Sequence, residues 1–261
     1  MLPYPDIDPV AIALGPIKIH WYGLTYIAGL AFAWWLARRR SQRPHSPLKP
    51  DQVDDLIFYA AVGVVLGGRF GYVFFYGFER LVSDPMWLFR VWEGGMAFHG
   101  GALGVVLAVI YFARKNKIPL LSLGDMVAIT VPFGLLCGRL ANFINGELWG
   151  RVTDAPWGVI FPGAGALPRH PSQLYEAALE GALLLLVLNV LAWKFKALAK
   201  PGLLTGLFLI GYGASRFLIE YVREPDVHIG FIFDFITMGQ ILSLPMMLAG
   251  AGFVYWAIAR K

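Results

Sequence analysis

The stretch Gly138–Gly150, GRLANFINGELWG, sets Arg139, Asn142, Asn145 and Glu147 among Leu140, Phe143, Ile144 and Trp149. An arginine fork matches phosphate oxygens, and carboxamides orient such oxygens by hydrogen bonding. Asn142 follows Arg139 at i+3, while Asn145 and Glu147 come where Gly146 and Gly150 permit turns. A second stretch, GYGASRFLIEYVREPD, places Tyr212, Arg216 and Glu220 at i, i+4 and i+8, one stripe of a helix, with Arg223 close to the same face. Glu220 can then orient Arg216 toward a phosphate; the plainer alternative is an Arg–Glu pair that only holds helices together. In MAFHGGALG, His99 stands beside Gly100, Gly101 and Gly104, which allow close approach by a ligand or another helix. Histidine is the side chain that exchanges its proton near neutral pH, so His99 is either a base or an interfacial residue. HWYG brings His20, Trp21 and Tyr22 together, and an interfacial aromatic belt accounts for Trp21. Arg69 in LGGRF, and Ser172, Gln173 and Glu176 in RHPSQLYE, are further polar insertions, with Pro171 read just inside the start of a helix.

The elements that position these residues must lie in lipid. Of 261 residues, 57% are apolar and 15% charged, and the mean hydropathy is +0.60. A soluble domain carries about 25% charged residues, so the chain is expected to be a single integral-membrane domain over residues 1–261. The net charge of +5 is not gathered with aromatics on a soluble face, which argues against nucleic acid as a partner. Cys137 is the one cysteine, so neither a disulfide framework nor a thiolate metal cluster is available. The N-terminus has acids and prolines where a signal peptide needs basic residues, so no cleaved leader is expected.

Ile19–Ala37, Gly94–Ala113 and Phe235–Ala259 are long and free of Asp, Glu, Lys and Arg. Val53–Tyr76, Ile118–Gly138, Ser172–Trp193 and Gly202–Val222 are long enough once Arg69, Asp125, Glu176, Glu180, Arg216 and Glu220 are admitted. The expected fold is therefore all-α and polytopic, with about seven transmembrane helices. Basic clusters at Arg38–Arg43, Arg114–Lys117, Lys194–Lys200 and Arg260–Lys261 follow alternate spans, which sets the N-terminus outside and the C-terminus inside. With that threading Arg69, His99, Arg139, Glu176, Glu180, Arg216 and Glu220 share the outer half of the membrane, with Arg139 ending the fourth span. Asp54, Asp55 and Asp125 fall toward the cytoplasm. Ionisable groups in a span face one another or a protein-lined cavity, and arginines mixed with carboxylates suit an anionic ligand better than a proton wire.

The motif at 138–150 resembles the signature of the bacterial prolipoprotein diacylglyceryl transferases, matching at Gly138, Arg139, Ala141, Asn142, Phe143, Asn145, Glu147 and Gly150. HWYG, GGRFGYV, GGMAFHGG, RHPSQLYE and GYGASRFLIE extend the resemblance over nearly the whole chain, although the loop Arg151–Arg169 is compact where some relatives carry a longer insert. The resemblance implies a seven-span enzyme of the bacterial inner membrane without cofactor or metal, its active site facing the outer (periplasmic) leaflet. Its substrates would be phosphatidylglycerol and the lipobox cysteine of a prolipoprotein signal peptide, met among membrane lipids. The diacylglyceryl group would pass to the thiol, releasing glycerol 1-phosphate. In that chemistry Arg139 and Arg216 would stabilise the departing phosphate, and His99 would take the thiol proton. Asn142, Asn145, Tyr22 and Tyr212 would contact the head group, with Glu147 and Glu220 holding the arginines. An outer-leaflet-facing anion or lipid transporter is the alternative, but no inverted repeat or paired broken helices stand out. A rhomboid-like protease is disfavoured because Ser215 lies mid-helix with no glycine after it, and a synthase using nucleotide-activated lipids because it needs clustered aspartates.

Overall fold

The structure is a computed structural model that describes residues 2–5, 7–15, 17–225, 231–232 and 236–260. Phe235, read as the start of the last span, Asp226 of the REPD loop and the terminal Lys261 lie outside the described residues. The main helices are α1 (Trp21–Ser41), α2 (Pro50–Tyr76), α3 (Phe98–Lys115), α4 (Leu120–Ile144), α5 (Ser172–Lys194), α6 (Leu203–Ile219) and α7 (Met238–Ala259). Helices α2, α3, α4, α5 and α7 are long and apolar enough to cross a membrane. Helix α6, at 17 residues, is shorter, and α1 is diluted by Trp21, Tyr22, Tyr26, Trp34, Trp35 and Arg38–Arg40.

These helices are inside-out compared with those of a soluble protein. Phe75, Leu248 and Tyr255 are 84%, 74% and 76% exposed, while Glu176 and Glu180 are fully buried. That distribution suits a helix surrounded by hydrocarbon, where apolar side chains need no shielding and polar ones must find partners inside the protein. The chain is a mainly helical, multi-pass membrane protein.

Several expected boundaries move. The third span was read from Gly94, but Gly94 and Gly95 both have a φ of +80° and the helix begins at Phe98. The fourth was read as ending at Arg139. Instead α4 breaks after Ala128, where Pro132 enters the first turn of a new segment, Val131–Ile144. Arg139 and Asn142 are therefore helical residues, a turn deeper in regular structure than expected. Pro171 stands immediately before α5 rather than inside it.

The chain forms two compact units, residues 34–124 and residues 1–33 with 125–261. In the first, α2 and α3 meet through glycines: a Cβ on Gly67 would strike the Gly100 carbonyl, and one on Gly104 the Gly63 carbonyl. Small residues allow such approach where lipid removes any hydrophobic drive to associate. Asp54 accepts hydrogen bonds from Trp34 Nε1 and Arg38 Nη1 at 2.6 and 2.7 Å, tying α1 to α2.

In the second unit α6 and α7 cross at Gly206 and Gly250, each of which faces the other's carbonyl. Buried Asp125 of α4 accepts from the Gly202 and Thr205 amides at 2.8 and 2.7 Å and so caps the N-terminus of α6. Helix α5 is not uniform: Ala177–Leu183 is a π-helical turn between α-helical ends. Beside it Gly181 packs so closely on α4 that an added Cβ would meet Leu136.

Candidate active site

The polar centre lies in the second unit and is built around one carboxylate. Glu176, near the start of α5, is fully buried. Its Oε1 accepts from Arg216 Nη1 of α6 at 2.6 Å and from Arg223 Nη1, just past α6, at 3.0 Å. Its Oε2 lies 3.0 Å from Arg139 Nε of α4 as an ion pair without hydrogen-bond alignment. A second carboxylate, Glu180, stands 3.6 Å from Arg139 Nη2. A third, Glu220, holds Arg216 Nη2 at 2.5 Å and lies 3.9 Å from Arg223 Nε. Tyr212, one turn before Arg216, is within electrostatic reach of Glu180, Arg139 and Arg216.

Exposure separates the members of this cluster. Arg139 and Arg216 keep 18% and 17% of their side-chain surface open, whereas the side chains of Glu176 and Glu220 keep 0% and 4%. The carboxylates thus sit behind two arginines from different helices. An arginine so braced holds its geometry without help, part of each side chain stays open, and a guanidinium fork matches the geometry of an oxyanion. Among the described residues no three His, Cys, Asp or Glu side chains come together as metal ligands; the carboxylates face arginines instead.

The other sequence-selected residues fall into separate groups. Asn142 and Asn145 each donate from Nδ2 to Glu147 Oε1 at 3.0 Å. Glu147 was expected to hold an arginine; its side chain is engaged by the two amides instead. The chain reverses here, with φ of +64° at Gly146 and +61° at Leu148, and that reversal turns Glu147 back onto the end of α4. Gln173 Nε2 donates to the Glu147 carbonyl at 2.6 Å and Ser172 Oγ to that of Leu148 at 3.0 Å, so the start of α5 anchors the turn. Phe161 packs beneath it against Tyr4, Phe143 and Trp149. Arg151 then donates to the carbonyls of Arg223 and Glu220 at 2.9 and 3.0 Å, stitching the loop to the end of α6.

Tyr22, at the start of α1, is exposed and meets the Tyr26 hydroxyl at 3.5 Å. His99 belongs to the other unit, where its ring contacts Phe98 at the start of α3. In that unit Arg69 is only 2% exposed and donates to the carbonyls of Leu88, Trp87 and Gly94 while lying over the Trp87 ring. Outside the helices, burial pushes the His170 imidazole below its ordinary value, and Nδ1 lies 3.1 Å from the Tyr175 hydroxyl.

Sequence reasoning placed Glu176 and Glu180 in the polar layer but left them out of the site. Their signal was the i, i+4 pair of acids inside an apolar run, which is expensive in lipid unless cations answer it.

Comparison with known proteins shows the family of the chain. The family described as prolipoprotein diacylglyceryl transferase matches residues 9–256. A phosphatidylglycerol–prolipoprotein diacylglyceryl transferase of Vibrio vulnificus (strain YJ016) is 55% identical over 99% of this chain and 94% of its own length. Proteins of the same name from Chromohalobacter salexigens and Methylococcus capsulatus are each 55% identical, covering 98% and 100% of this chain and 95% and 99% of their own. With the match running through every helix that supplies the arginine–carboxylate cluster, the chain belongs to the prolipoprotein diacylglyceryl transferase family.

Proposed function

We propose that this protein transfers the sn-1,2-diacylglyceryl group of phosphatidylglycerol to the thiol of a prolipoprotein lipobox cysteine. The observation that carries the reading is the pair Arg139 and Arg216, brought from α4 and α6 onto one buried glutamate with part of each arginine side chain left open. The sulfur forms a bond to the terminal glyceryl carbon while that carbon's bond to the phosphate oxygen breaks. A phosphodiester monoanion becomes glycerol 1-phosphate, which gains charge as it leaves. Donors fixed in advance where charge develops, in a site with little water, are usually the largest catalytic contribution. Arg139 and Arg216 are assigned that role.

Asn142, Asn145, Tyr22 and Tyr212 are assigned to the lipid head group, Glu220 to holding Arg216, and Glu147 to fixing the two asparagines. Such a thiol has a pKa of roughly 8.5, so little of it is thiolate at neutral pH. On chemical grounds His99 is assigned the thiol proton. Nothing observed favours a transporter, and residues 1–261 are taken to act as one domain.

The reading includes seven spans, with α1 and α6 completing the five helices that are long and apolar enough to cross. It places the N-terminus outside, the C-terminus inside, and the reaction at the outer leaflet of the bacterial inner membrane. A reporter active only outside the cytoplasm should be silent when fused after Lys261 and active in the Arg151–Arg169 loop; the reverse pattern would invert the site. The activity is tested with purified protein, phosphatidylglycerol and a lipobox peptide. Release of glycerol phosphate together with a thioether-linked peptide is expected, and release of neither would overturn the assignment.

A further inference from the structure

The arrival of an anionic substrate alters the charge balance of the cluster. Among the described residues Arg139, Arg216 and Arg223 face Glu176, Glu180 and Glu220, so with all six ionised their formal charges cancel. The three acids are not equivalent. Glu176 contacts three arginines and Glu220 two. Glu180 is fully buried, with Arg139 Nη2 at 3.6 Å, beyond hydrogen-bond distance, and among the described residues no well-aligned donor reaches either of its oxygens. A buried carboxylate without hydrogen bonds is the member of such a set that least supports a negative charge.

The local backbone is shaped around this residue. The π-helical turn Ala177–Leu183 starts directly after Glu176 and contains Glu180. Such turns are rare and appear frequently at functional sites. Gly181, next in sequence, sits against Leu136 of α4, so α5 approaches α4 about one turn from Arg139. Among the described residues the titratable and charged groups within electrostatic reach of Glu180 are Arg139 from α4, Glu176 from its own helix, Tyr212 and Arg216 from α6, and Arg223 beyond it.

We propose that Glu180 is a positioning residue that takes up a proton from solvent when the phosphodiester binds. Three arginines are then balanced by two carboxylates and one phosphate monoanion. In the lipid-free site the ionised acid balances the surplus arginine charge; in the lipid-bound site it would only repel the phosphate. Being fully buried behind Arg139, Glu180 acts through that arginine and does not touch the lipid. The proposal rests on phosphatidylglycerol being the substrate, and it makes lipid affinity weaken as pH rises.

The test is equilibrium binding of phosphatidylglycerol in detergent micelles by the purified full chain, without peptide, at pH 6 and pH 9. Wild type should lose at least fivefold in affinity over that interval. Glu180→Gln, neutral at every pH, should bind at pH 9 as well as wild type does at pH 6. Glu180→Asp, which still titrates, should again lose affinity with pH. A flat wild-type profile overturns the proposal without any variant being needed. So does a Glu180→Gln profile that falls in parallel with wild type, or one that is weak at both pH values. Failure of the separate transfer assay would overturn the enzymatic reading, whereas the binding profiles decide the role of Glu180.

Discussion

Arg69 and Arg139 are both withdrawn from solvent inside apolar helices, yet their surroundings differ in kind. Arg69, in the 34–124 unit, is held by backbone carbonyls of the Trp87–Gly95 segment and by the face of Trp87. Arg139, in the other unit, is held by Glu176 and Glu180. Carbonyl dipoles spread around a guanidinium consume its donors and leave little surface, which fastens a loop. Carboxylates packed behind it offset its charge and set its direction while part of the side chain stays open. The same residue type is thus a fastener in one unit and, on the function proposed above, an anion receptor in the other, and the difference lies in what its donors face.

The largest effect expected from that difference is on activity. Arg139→Ala and Arg216→Ala should each lower kcat/KM by about a hundredfold or more, with the proteins still inserting and purifying. A loss below tenfold for both, measured by glycerol phosphate release, would make the cluster a fastener like Arg69. His99→Gln comes next: a missing base should cost about a hundredfold at pH 7. Much of that rate should return above pH 8.5, roughly where a thiol ionises unaided. The pH–rate profile of kcat/KM decides it, since wild-type speed at pH 7 excludes a base and inactivity at all pH values leaves only a structural part.

Arg69→Met should act on stability instead. Stripping several buried carbonyls of their donor costs about 3 kcal/mol, read as a lower Tm in detergent, while the folded fraction stays within about threefold of wild-type turnover. A large loss of turnover at unchanged Tm would contradict the fastener role. The smallest effect concerns metal. EDTA should leave turnover unchanged, because the arginines are assigned the charge stabilisation that a cation would otherwise supply. Inhibition reversed by magnesium would reassign it.

Much of this was legible in the residues themselves. A membrane span must be long and apolar, so composition alone located the helices to within a few residues. The i, i+4 spacing of Arg216 and Glu220 needs only helical geometry, and the pair forms at 2.5 Å. Local spacing could not reveal partners brought from other helices. Glu176 binds Arg139, Arg216 and Arg223, none of them on α5. Glu147, expected to meet an arginine, meets Asn142 and Asn145 because a left-handed turn at Gly146 sends it back along its own chain. The π turn that carries Glu180 has no signature in residue type, since the same side chains would suit an unbroken α-helix.

Sequence by itself determined the solvent: a chain with 57% apolar and 15% charged residues leaves its buried charges to be answered within the protein. It also determined the chemistry on offer, because arginines, amides, carboxylates, tyrosines and a histidine occupy the polar positions named above. Tertiary structure decided which charge answers which. In a medium where an unpaired ion is costly, that choice depends on where helices cross, as α5 does on α4 at Gly181 and Leu136. Such crossings are set by packing between distant segments, which no local spacing records.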